Sequence, residues 1–197
     1  MNVRQITGLL MGCLLAISAA TAQTNVRVRG TITAIDGKIL SVKSREGKDL
    51  KIELADNVSV AVAKAIRFED FKEGDYVGAT TLPGPNGIQV AVEVHYLALT
   101  VPEGQLAWDL QPGSTMTNAN VASRVVGNSD HELTLRFKDG TQRIVVPGTA
   151  ALVRTVPGSR ADLVVGEYVF IGAQQAPDGT LSAARVQVSK DGVKPPQ

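Results

Sequence analysis

The stretch FKEGDYVGA, Phe71 to Ala79, returns as LVVGEYVFI, Leu163 to Ile171, so Gly-acid-Tyr-Val occurs twice at a spacing of 166 − 74 = 92 residues. Positions around it keep step: Asp70 with Asp162, Pro85 with Pro177, Gly87 with Gly179 and Val94 with Val186, while Gly47 and Gly140 differ by one residue more. Self-similarity sustained over turns and apolar positions marks two copies of one folded unit. Within the phrase each residue type has a conformational duty. Asp70 and Asp162 are suited to cap a single helical turn by accepting a backbone N–H. Phe71 and Leu163 anchor that turn in a core, and Gly74 and Gly166 supply the positive φ that lets the chain leave it. Tyr76-Val77 and Tyr168-Val169 then begin a strand. Because the phrase is repeated, folding accounts for Asp75, Glu167 and the tyrosines better than catalysis does.

Outward from the phrase, the chain reads as short strands. Val26, Val28, Ile32 and Ile35, then Ile39, Leu40 and Val42, then Leu50, Ile52 and Leu54, alternate with polar residues. Turn signals break them at Asp36-Gly37 and Glu46-Gly47, the pattern of half-buried strands joined by tight hairpins. A strand near Val58 to Ile66, one from Tyr76 to Thr81, a turn at Pro85-Asn86-Gly87 and a strand from Ile88 to His95 complete an antiparallel meander. The second half repeats the order through Val121 to Val126, Leu133 to Phe137, Gln142 to Val146, Ala151 to Val156, Tyr168 to Ile171 and Leu181 to Val188. The predicted fold is all-β: two tandem small antiparallel β-barrels, OB-like, each with a short helical turn. A sandwich of two sheets is the alternative. The expected divisions are a signal peptide over 1–22, a first barrel over 23–95, an ordered linker over 96–119, a second barrel over 120–189 and a disordered tail over 190–197. The strand from Ile88 to His95 is read as an edge able to pair with another chain.

The pattern VRGTITAIDGKILSVKS, followed by IRFEDFKEGDYVGATTLPGPNGIQVAVEV, resembles secreted bacterial small-barrel domains of unknown function, OB-like and often in tandem. The resemblance covers most of Val26 to Val188. The connecting segment WDLQPGSTMTNANV is similar to that of proteobacterial exported proteins labelled metal ABC transporter permease. These motifs are structural glycines and turns, so the resemblance implies a fold and no activity. A permease needs several apolar spans, which this sequence lacks.

Compartment comes from the amino end. Arg4 precedes an apolar stretch from Ile6 to Ala20, and Ala20-Thr21-Ala22 precedes Gln23, the layout of a secretory signal peptide with an A-x-A cleavage site. The stretch is shorter than the roughly 20 residues of a membrane span. A periplasmic protein with no membrane span after cleavage is therefore expected. Leu10-Met11-Gly12-Cys13 gives a competing lipobox reading with Cys13 lipidated, but the apolar region runs on through Leu14, Leu15 and Ile17. Cleavage after Ala22 removes the single cysteine and leaves 197 − 22 = 175 residues with no disulfide or thiol chemistry. With 20 Lys plus Arg against 19 Asp plus Glu, the chain has no basic footprint for nucleic acid.

Chemistry-bearing motifs are sparse. The two histidines, His95 and His131, stand at non-equivalent places in the copies, and no H-x-x-x-H, C-x-x-C or EF-hand spacing occurs. No serine has a G-x-S-x-G setting. No catalytic, metal or cofactor residue is assigned. The segment without a counterpart, YLALTVPEGQLAWDLQPGSTMTNAN from Tyr96 to Asn120, contains the chain's single tryptophan. Trp108, Asp109, Leu110, Ser114, Met116 and Asn118 are the candidate recognition residues, because tryptophan offers a large apolar surface and one N–H donor at a wet interface. The competing reading makes Trp108, Leu106 and Leu110 a wedge between barrels. The expected function is non-enzymatic: an exported envelope binding or interaction module whose partner is a protein or a cell-wall polymer. An accessory component of a metal-transport system that binds or presents a cation is the second reading, and a hydrolase of envelope glycans the third.

Overall fold

The computed structural model describes residues 23–128 and 130–197, so the signal-peptide segment and Cys13 lie outside the described residues. The described chain is all-β, with twelve strands and three single 3-10 turns. In chain order the strands are β1 (Thr24–Asp36), β2 (Ile39–Ser44), β3 (Asp49–Ala65), β4 (Tyr76–Pro83), β5 (Gln89–Tyr96), β6 (Gly104–Ala107), β7 (Thr115–Val125), β8 (Asp130–Phe137), β9 (Gly140–Pro147), β10 (Ala151–Pro157), β11 (Tyr168–Gln175) and β12 (Leu181–Val188). The hairpins fall where the turn chemistry placed them: Gly37 between β1 and β2 has φ 53°, and Asn86-Gly87 between β4 and β5 have φ 57° and 75°.

The pairing departs from two contiguous barrels. β1 pairs with β2 and β2 with β3, all antiparallel, but the other neighbour of β1 is β11, from Thr24↔Gln175 to Thr31↔Tyr168. β11 continues to β12, and β12 returns to β3 in parallel, closing a five-stranded barrel. Its core contains Ile32, Leu40, Ile52 and Leu54 from the first half and Leu163, Ile171, Val186 and Val188 from the second. A second cycle of pairs runs β4-β5-β9-β8-β7 and back to β4. It encloses a separate core with Phe71, Val77 and Val94 from the first half and Val121, Leu133, Leu135 and Ile144 from the second. Each repeat therefore keeps its first three strands in one ring and sends its last two into the other. Hydrophobic alternation sets which face of a strand is buried, whereas it carries no information about which copy supplies the neighbour. A strand exchange within one chain is invisible to sequence periodicity.

The crossing itself is visible. β3 runs for 17 residues, its first part in one ring and its last part beside β10, the corresponding crossing strand of the second half. They pair antiparallel from Val153↔Ala65 to Pro157↔Ala61. Its centre, Ala63↔Thr155, joins two positions 155 − 63 = 92 residues apart, so the repeat offset is also the register of the crossing. β3 runs on through the break expected between Leu54 and Val58, where a register irregularity against β12 marks it.

The repeated phrase sits at the receiving end of each exchange. The 3-10 turns Phe68–Asp70 and Arg160–Asp162 precede Phe71 and Leu163, both buried. Gly74 and Gly166 have φ of 88° and 96°. The acids close the turn from its far end: Asp70 Oδ2 accepts from the Arg67 N–H at 2.9 Å, and Asp162 Oδ2 from the Ser159 N–H at 2.9 Å. Gly74 N–H donates to the Val121 carbonyl in the other repeat at 2.8 Å, and Gly166 N–H to Ile32 at 2.9 Å, so each copy of the phrase is docked on a strand of its twin.

Three further expectations need correction. The strand read as Ile88 to His95 is no edge: β5 has β4 on one side and β9 and β10 on the other. The segment 96–119 is part of the sheet, with β6 antiparallel to β7, which starts at Thr115. Residues 190–197, expected to be disordered, form a turn bridging Lys190 and Val193 and bury Pro195 and Pro196. Proline has no N–H to leave unsatisfied when buried, which makes a Pro-Pro pair inexpensive to pack.

Candidate functional site

An open cleft of about 1450 Å³ runs along the outside of the sheet where the rings meet the 96–119 segment and residues 196–197. Trp108, Met116 and Asn118 line it, together with Arg27 and Phe170 from one ring and Tyr96 from the other. Asp109, Leu110 and Ser114 stand behind Trp108 and fix it.

The Trp108 turn is built from its own backbone. Trp108 N–H donates to the Ser114 carbonyl at 2.8 Å, and the buried Ser114 hydroxyl contacts the carbonyl oxygens of Trp108 and Gln111 at 2.9 and 2.8 Å. Ser114 is thus a turn residue, which accounts for a hydroxyl there without any ligand. The turn is then held by three arginines, Arg27 and Arg29 on β1 and Arg45 in the turn after β2. Arg29 Nη2 bonds Asp109 Oδ1 at 2.8 Å, Arg27 Nη1 lies 3.6 Å from Asp109 Oδ2, and Arg45 donates to the carbonyls of Asp109 at 2.7 Å and Leu110 at 3.0 Å. Burial opposes ionisation of Asp109, but the hydrogen bond and charge of Arg29, helped by Arg27, outweigh it and hold its carboxyl below the ordinary aspartate range. The Arg29 side chain is only 2% exposed, so Asp109 is the charge that balances a buried guanidinium.

Aromatic faces complete this end. The Arg27 guanidinium lies 4.2 Å from the centre of the Trp108 ring, and Arg29 lies 4.9 Å from Phe170. The indole is half-buried, with Nε1 donating to the main-chain oxygen of Gln197 at 2.9 Å. Below it the Gln197 N–H reaches both oxygens of the buried Glu93, at 3.1 and 3.2 Å. His95 Nδ1 lies 2.9 Å from Glu93 Oε1, in a geometry short of a hydrogen bond.

At the other end, the Tyr96 hydroxyl donates toward Asp75 Oδ2 and the Asp70 carbonyl, each at 2.9 Å. Burial, then the Asp75 carboxylate, push its pKa up to about 12, so it stays a neutral donor. The acid of the phrase has a structural task here, as its repetition implied. Met116 is buried against Thr80, and Asn118 Nδ2 donates to the Pro102 carbonyl at 3.0 Å.

Trp108, Met116 and Asn118 are singled out in the sequence and line the cleft; Arg27, Glu93 and Phe170 read there as ordinary strand positions, His95 only as an isolated histidine, and Tyr96 as the start of the segment without a counterpart. The absence of a tryptophan equivalent in the second half was the signal; nothing comparable marked the arginines. Among the described residues, no three His, Cys, Asp or Glu side chains gather as a metal site. No helix among them is long and apolar enough to cross a membrane. No family model, curated protein or solved structure matches the chain.

Proposed function

We propose that this protein is a non-enzymatic binding module of the bacterial cell envelope, exported to the periplasm, whose OB-like rings present one cleft to an extended polypeptide segment of a partner protein. The observation that carries this reading is the edge of β6. Every other described strand has neighbours on both sides, whereas β6 pairs with β7 alone. Gly104, Gln105 and Leu106 of β6 line the cleft, and Leu106 is 41% exposed. An unpaired strand edge offers a row of main-chain donors and acceptors that matches an extended backbone, and neighbouring side chains then select the sequence. The Trp108 and Tyr96 rings, with Arg27 and Arg154 over them at 4.2 and 5.9 Å, supply apolar contact area with charge at its margin.

Photo-crosslinking in cells, with a probe placed at Gln105 or Leu106 and a control at exposed Lys138, tests it. The expected result is an adduct, mapped by mass spectrometry to one short segment of one envelope protein, from the β6 positions only. A glycan adduct would replace the polypeptide by the wall polymer, and identical adducts from Lys138 would remove the cleft from consideration.

A further inference from the structure

We propose that Trp108 and Glu93 form a recognition site for the main chain of a proline-bearing polypeptide, and that residues 194–197 of the chain are its resident occupant. The proposal deepens the reading of the cleft as a polypeptide site and rests on it. Four observations converge. The Trp108 indole donates to a main-chain oxygen and the Glu93 carboxylate accepts a main-chain N–H, both from Gln197. Neither contact reads the Gln197 side chain, which folds back to the Pro195 carbonyl at 2.7 Å. Pro195 and Pro196 are buried, and Lys194 Nζ lies 4.7 Å from the Tyr168 ring. An indole N–H directed at a main-chain oxygen beside packed prolines matches the aromatic-lined grooves that bind extended Pro-rich segments.

Glu93 identifies the site as one built for an occupant. It is 4% exposed, and a carboxylate at that depth needs donors. With the Gln197 N–H gone it keeps, among the described residues, misaligned His95 alone, so the site favours whichever backbone supplies an N–H. The turn at Asp191-Gly192, with φ of 51° and 79°, returns the chain to deliver its own. Pro196 and Gln197 line the same cleft as β6, so a partner strand laid along β6 runs toward the tail and competes with it. A tethered occupant acts at an effective concentration of about millimolar, so a partner must exceed that competition or bind β6 as well.

The test uses the full chain and the eight-residue peptide KDGVKPPQ, the sequence of residues 190–197, labelled for fluorescence anisotropy. Trp108, the only tryptophan, reports on its own site by its emission. Two variants loosen the tail: Pro195→Gly with Pro196→Gly, and Gln197→Pro, which deletes the N–H given to Glu93. Both are expected to shift Trp108 emission to the red and to bind the peptide saturably, at least ~10-fold tighter than the unsubstituted chain, as release from tethered competition requires. Adding Glu93→Gln or Trp108→Phe is expected to weaken that binding ~10-fold, with far-UV circular dichroism unchanged. Unchanged emission in both tail variants, or a shifted emission without peptide binding at millimolar concentration, would overturn the proposal. Crosslinks from Leu106 that persist in that case would leave the β6 reading standing; their absence alongside tight peptide binding would remove β6 and keep this site.

Discussion

Single residues hold the fold where backbone leaves no room for a side chain or where one acid closes a turn. Gly30 lies where β1 crosses β2, and a Cβ there would meet the Lys43 carbonyl oxygen at 2.2 Å and the Ser44 Cα at 2.8 Å. Both are backbone atoms of a paired strand, so the strain has no flexible side chain to absorb it. Gly30→Ala is expected to cost ~3 kcal/mol, measured as a loss of urea midpoint at constant slope; a change below ~0.5 kcal/mol would show that the strands can separate there freely. Asp70 and Asp162 make a second case. The backbone N–H of Arg67 in one copy and of Ser159 in the other holds each carboxyl below the ordinary aspartate value of 3.8. A depressed folded pKa contributes stability that is fully present above the unfolded value and disappears as pH falls through the folded one. The protein is therefore expected to lose stability below about pH 4, and D70N with D162N to narrow the difference between urea midpoints at pH 6 and pH 3. An undiminished difference would place the acid sensitivity elsewhere.

At the scale of elements, the Trp108 turn is an attachment held by charge. Removing Asp109 leaves the Arg29 guanidinium, whose Nε already lacks a partner, buried without its counter-charge. Loss of one partner of a buried pair costs about 3–5 kcal/mol, and the 47% exposure of the Asp109 side chain reduces the expectation for Asp109→Ala to ~2 kcal/mol. Trp108 emission is expected to move to the red as the turn lifts from the β1–β2 hairpin; unchanged emission would mean that Arg45 and the Gln197 contact hold it without the ion pair. One face of the Trp108 ring is packed by Arg27, and its N–H edge meets main chain in the cleft. How much of this was legible follows from the range of each interaction. Turns, strand alternation, and the duty of Gly74, Gly166, Phe71 and Leu163 are local and could be read directly. Arg27, Glu93 and Tyr96 acquire their roles from residues 82, 104 and 21 positions away, as with Arg27 and Asp109, Glu93 and Gln197, and Tyr96 and Asp75. No local pattern encodes such partners.

At the scale of the whole molecule, the strand exchange decides what can be independent. The repeat was evident from the 92-residue offset, yet the offset is the same whether a copy closes on itself or on its twin. What joins the two rings is the crossing pair β3–β10: β3 pairs with β2 and β12 in one ring and then, over Ala61 to Ala65, with β10, which also pairs with β5 of the other. The consequence is a single framework in which neither half completes a core, and in which β5, carrying Glu93, His95 and Tyr96, is set beside β10 on the cleft side of the rings. The direct test is a disulfide between Asn25 and Gln174, which face each other across β1 and β11, introduced as N25C with Q174C in a chain whose Cys13 is replaced by Ser. Cross-strand neighbours meet disulfide geometry without rearrangement. The expected result is a bond within one chain, formed in mild oxidant and holding the two halves together after proteolytic cleavage between Leu99 and Glu103. Failure to form the bond, or bonds found only between separate chains, would contradict an exchange within one molecule.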